Sequence, residues 1–213
     1  MSLIISAQTS GSSFPPLEAG SYPAVCYGIV DIGEQYNENY KKSSPKIIIM
    51  WEIPGETITI DGEEKSRVIS QTYTVSLNEK ATLRKDLAAW RGRDFTDEEL
   101  KSFDLKSILN APCLLNIVHK ESNGRTYANI GGIMQLPKGV KRPRGTLEPI
   151  IFDLDTSDLD ELRELPEWIQ KRITESVSYK ERVAGIGHET DGDGEYEQPG
   201  MGDYEDDELE LPF

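Results

Sequence analysis

The sequence predicts an all-β core with one helical insertion, followed by a helical extension and a disordered acidic tail. Three observations predict it. Short runs rich in β-branched and aromatic residues recur between residues 22 and 130, separated by polar turns. One stretch of helical period interrupts them, between residues 76 and 103. The charge is also partitioned: residues 1–145 hold 18 Lys and Arg against 17 Asp and Glu, whereas residues 146–213 hold 5 against 21. The net charge of −15 over 213 residues therefore sits almost entirely in the last third. Such an asymmetry says more than the total.

Residues 1–19 are Ser-rich and read as a flexible arm. Residues 22–32 make the first strand, and the polar stretch 33–45 after it reads as a long loop. Residues 46–53 are a continuous apolar run closed by Pro54 and Gly55, which suits a strand covered on both faces. Residues 57–60 lead into the turn Asp61-Gly62, and residues 67–75 form a further strand. Ser76-Leu77-Asn78-Glu79 then matches a capping box, and Leu83, Leu87 and Trp90 line one face of a helix ending near Gly92. Thr96-Asp97-Glu98-Glu99 is a second box, opening a shorter helix with Leu100 and Phe103. Strands resume at residues 113–119, and the turn 122–124 joins them to residues 125–130 as a hairpin.

Three strands, a helix and two strands is the order of the OB-fold, a five-stranded Greek-key barrel. Residues 20–137 are accordingly read as an OB-type nucleic-acid-binding domain. Residues 138–186 form a basic linker, with Lys138, Lys141, Arg142 and Arg144, and a helical extension. In that extension Leu159, Leu162 and Leu165 come first, Pro166 marks a second helix start, and Trp168, Ile169, Ile173 and Val177 make an apolar stripe for the barrel or a partner. Residues 187–213 contain 11 Asp and Glu and no Lys or Arg, too little apolar surface to fold.

Several function classes lack support. No apolar run approaches the roughly 18–20 residues that cross a bilayer. The start carries no basic, apolar leader, and the chain reads as cytoplasmic. Cys26 and Cys113 lie on separate strands and read as buried free thiols, and with two His no zinc spacing can be assembled. Neither GxGxxG nor GxxxxGK[ST] occurs, and no nucleophile–base set assembles. The reading is of a non-enzymatic protein without cofactor or metal.

The barrel region offers aromatic residues interleaved with bases, as single-strand binders require for base stacking and backbone tracking. Tyr36, Tyr40, Lys41, Lys42 and Lys46 lie in the stretch after the first strand. Trp51 is on the second strand, Arg67 and Tyr73 on the third, and Lys120, Arg125 and Tyr127 on the last hairpin. These strands and two loops line the binding face of OB-folds. Trp51 and Tyr73 serve a core as readily as a platform, while Tyr36 and Tyr40 sit where no core demands them. The linker cations can extend the nucleic-acid path or pair with the acidic tail.

The chain ends Asp206-Asp207-Glu208-Leu209-Glu210-Leu211-Pro212-Phe213. This resembles the tip of bacterial and phage single-stranded DNA-binding proteins, an acidic run ending in Ile-Pro-Phe, with Leu211 in place of Ile. The rest resembles phage-encoded OB-fold DNA-binding proteins more than the cellular bacterial type. The resemblance implies single-stranded DNA as ligand, in phage replication or recombination and so in a host cytoplasm. It also implies recruitment of replication or recombination proteins through Asp206, Asp207, Leu211, Pro212 and Phe213. A homo-oligomer is compatible with it. Two alternatives stay open: an OB-fold RNA-binding module, and a protein-interaction adaptor whose tail mimics nucleic acid.

Overall fold

The computed structural model describes residues 15–60, 62–122 and 124–186. Its centre is a curled antiparallel sheet of five strands: β1 (Gly20–Asn37), β2 (Lys42–Ile60), β3 (Glu63–Thr74), β4 (Pro112–Ser122) and β5 (Arg125–Met134). They lie in the order β3-β2-β1-β4-β5, and a short sixth strand, β6 (Ile150–Phe152), pairs parallel with β1. The helices are α1 (Thr82–Arg91) and α2 (Asp97–Lys101) before β4, and α3 (Glu167–Glu175) and α4 (Val177–Ile186) after β6. Among the described residues no ladder joins β3 to β5, so the sheet is a half-barrel, and α1 packs against both free edges.

Two strands are apolar at almost every position because both of their faces are covered. On β2, Ile47, Ile49, Trp51 and Ile53 enter the core inside the curl, while Ile48 and Met50 enter a second core on the outer face. On β1, a register shift between Cys26 and Gly28 swaps the faces: Ala24, Cys26 and Ile29 point inward, Tyr27, Val30 and Ile32 outward. The inner core is filled by Leu83, Leu87 and Trp90 of α1, the face that the helical period predicts. The outer core is closed by Phe152, Leu154, Leu162, Leu165, Ile169 and Ile173. The apolar stripe of the extension thus packs on the sheet, except Val177, which stays exposed. Cys26 and Cys113 are free and buried, and burial pushes the Cys26 thiol up to about 12.

Gly33 lets β1 pass under the extension. Its φ is +68°, and a Cβ there would stand 2.7 Å from Leu154 and 2.9 Å from the Ser176 hydroxyl, so no other residue fits. The Asp31 carboxylate accepts its amide at 2.8 Å.

Three local expectations are corrected. Residues 33–45 are not a long loop: β1 continues to Asn37 and β2 starts at Lys42, leaving a tight turn. Pro54 and Gly55 do not end β2, which passes them with an irregularity between Ile53 and Thr57 and runs to Ile60. Ser76 caps no helix. Its hydroxyl accepts the amide of Asn78 at 3.2 Å in a local turn, and α1 begins later, after Ala81, with no side-chain cap.

The second capping box forms as read: Thr96 Oγ1 accepts the Glu99 amide, and the Glu99 carboxylate accepts the Thr96 amide at 3.0 Å. Arg93 and then the Thr96 amide, with Arg91 added, hold the Glu99 carboxyl down from its usual 4.5 to about 2. A lowered carboxylate contributes stability that is complete above about pH 4.5 and is lost as pH falls toward about 2. Glu99→Gln is therefore expected to lower Tm at neutral pH and to flatten the acid limb across that window. Parallel acid limbs in thermal melts of the two proteins would refute the assignment.

Candidate nucleic-acid interface

The residues singled out in the sequence fall into three places. The first is the tip of the β1–β2 hairpin. Asn37 turns the chain there, its side-chain oxygen accepting the amides of Asn39 at 2.9 Å and Tyr40 at 3.4 Å, with Lys41 at φ 50°. Tyr36 faces Ser43 across the ladder and is 58% exposed, and Tyr40 is 48% exposed. Lys41 and Lys42 stand exposed beside them. Lys46 lies further in and donates to Thr74 Oγ1 on β3 at 2.5 Å.

The second place is the interior, and here the reading is corrected. Trp51 is wholly buried, its ring centroid 5.9 Å from that of Trp90, so neither face can take a base. Tyr73 is buried as well and donates its hydroxyl to Asp86 Oδ2 at 2.8 Å. Burial raises the Asp86 carboxyl, against the pull of that hydrogen bond. Arg67 is half-buried opposite Ile53 of β2 and donates to the Pro15 carbonyl at 2.9 Å. With the His119 ring 2.8 Å from the Leu17 carbonyl, it ties the segment before β1 across the half-barrel.

The third place is the β4–β5 hairpin. Lys120 is directly opposite Tyr127, and Arg125 opposite Ser122, all on the outer face, because Cys113, Leu115 and Ile117 alternate inward. The three predicted residues come together. They do not meet the tyrosines of the first hairpin. Gly20 pairs with Ile117, so β4 runs out past the start of β1, whereas Tyr36 lies near its end. That separation amounts to about 50 Å of strand at ~3.3 Å per residue.

Sequence reasoning missed Glu52. It is the one fully buried charged residue among those described, and its carboxylate accepts the Thr146 amide at 2.8 Å, the Thr146 hydroxyl at 2.6 Å and the Leu147 amide at 3.1 Å. A lone acid inside the apolar run 46–53 was the available signal, since a buried carboxylate needs donors. Among the described residues no cluster of three His, Cys, Asp or Glu is placed to hold a metal ion. Asp206, Asp207, Leu211, Pro212 and Phe213 lie outside the described residues.

No protein-family model matches this chain, and no curated protein matches it.

Proposed function

We propose that this chain binds single-stranded DNA on an OB-type half-barrel, and that its acidic C-terminal tip recruits replication or recombination proteins. The observation that carries the reading is the pair of rings at the β1–β2 tip. Tyr36 and Tyr40 stand in water beside Lys41 and Lys42, with no core role. Flat rings next to unburied cations are what base stacking and backbone tracking need. Supporting it, three strands, helices and two strands follow the OB order, open between β3 and β5. The tip sequence, acidic with a terminal Leu-Pro-Phe, suits a pocket with a basic lip.

Titration of labelled oligo-dT across a salt series tests this. The logarithm of affinity is expected to fall with the logarithm of salt by about 0.7 per phosphate contacted. Tyr36→Ala, Tyr40→Ala and Tyr127→Ala should each lose roughly 1–3 kcal/mol with unchanged circular dichroism. Deleting residues 187–213, which removes 11 acids and no base, should raise affinity at low salt. Phe213→Ala should leave DNA affinity alone and lower capture of replication proteins. A salt slope near zero for the full chain would sink the reading.

A further inference from the structure

Resting on that reading, we propose that the single strand, in addition to its contact with the β1–β2 tip, runs over the outer face of β4 and β5, from Arg125 to a cationic strap at residues 137–147, and not across β2 and β3. The outer face of β2 and β3 is already taken. Ile48, Met50 and Val68 lie under the extension there, and Arg172 of α3 reaches Thr72 Oγ1 on β3 at 2.8 Å. No residue of β4 or β5 belongs to that second core. Their outer faces present, pair by pair, Leu114 and Met134, Asn116 and Gly132, Val118 and Asn129, then Lys120 and Tyr127. None of these is buried. The ladder from Leu114 to Ser122 makes a path about 26 Å long at ~3.3 Å per residue. Asn side chains along it offer donors and acceptors to bases, and Tyr127 offers a ring.

The far end of the path is the strap. Lys138, Lys141, Arg142 and Arg144 are all exposed, and no acid interrupts the sequence between Met134 and Glu148. None of the four makes a hydrogen bond or ion pair among the described residues. Yet the segment is fixed at both ends. Pro137 to Val140 form a turn closed by the Val140 amide on the Pro137 carbonyl at 3.2 Å, with Gly139 at φ +90° as a type II turn requires. At the other end Thr146 and Leu147 fill the lone pairs of the buried Glu52 carboxylate, with Gly145 close against it. Val25 pairs with Pro112 on one side and Glu52 on the other. From Met134 on β5, the strap therefore crosses β4 and β1 to reach β2. Four cations that have no partner among the described residues, on a backbone held by a buried latch, form a track for phosphates with little backbone ordering left to do on binding.

The test is a salt titration of oligo-dT binding by the full chain and two charge-matched variants. Lys141→Gln/Arg142→Gln/Arg144→Gln should bind about a hundredfold more weakly at 0.1 M salt, with a slope shallower by about 2. Lys80→Gln/Lys171→Gln/Lys180→Gln, three exposed cations before α1 and on the extension, should keep the wild-type slope. Gly132→Glu puts a carboxylate on the path where a Cβ meets nothing within 4 Å, and should weaken binding with no loss of fold. Should it melt below the assay temperature, Asn129→Glu on the same face carries the same test. The track is overturned if the strap variant binds like the control, or if the Glu variant binds like wild type. Absence of salt-dependent binding by the wild type would instead overturn the DNA reading itself, and the track with it.

Discussion

Deleting residues 148–213 is expected to unfold the half-barrel. The extension supplies Phe152, Leu154, Leu162, Leu165, Ile169 and Ile173 to the outer core. Without them Tyr27, Val30, Ile32, Ile48 and Met50 face water in the folded state. At roughly 1.5–3 kcal/mol per fully buried side chain, those five alone forfeit about 7–15 kcal/mol, the size of a whole domain's stability. A point change makes the same case with the chain intact. Ile173 is wholly buried, so Ile173→Asp sets an unpaired carboxylate among apolar side chains. Far-UV circular dichroism, dye binding and gel filtration should report loss of cooperative melting and exposed apolar surface for both proteins. A soluble, cooperatively melting truncate with near-native Tm would show that the extension is dispensable.

Where burial is periodic or complete, the sequence was readable. The run 46–53 announced a strand covered twice, and Leu83, Leu87 and Trp90 announced the buried face of α1. The hairpin of β1 and β2 was hidden because residues 34–45 belong to neither core, so no apolar alternation marks them as strand. Pro54 misled for a related reason: proline is tolerated at a bulge, and β2 is irregular there. At the candidate site, Tyr36 and Tyr40 were readable because a polar stretch gives a tyrosine no core to join. Trp51 was not, since its neighbours Met50 and Ile49 are equally apolar and leave the two faces indistinguishable in sequence. The strap's four cations were visible, but their fixing was not. The latch joins Glu52 to Thr146 across nearly a hundred residues, and nothing local encodes that pairing.

Trp51→Ala and Tyr40→Ala are expected to act on opposite properties. Removing the buried indole leaves a large cavity beside Trp90, a loss of about 3–5 kcal/mol in stability. Trp51→Phe should cost much less, because the Trp51 indole N–H has no hydrogen-bond partner among the described residues, and losing it removes an unsatisfied buried donor. Once corrected for the folded fraction, neither change should alter oligo-dT affinity, since the ring has no face open to a base. Tyr40 is half exposed at the hairpin tip, so its removal should change stability by less than about 0.5 kcal/mol. Its stacking contribution is the larger quantity, roughly 1–3 kcal/mol of affinity. Denaturant melts and anisotropy titrations on the same preparations separate the two. If Trp51→Ala folded normally and bound weakly, the indole would be the platform after all. If Tyr40→Ala bound like wild type, the hairpin tip would lose its role.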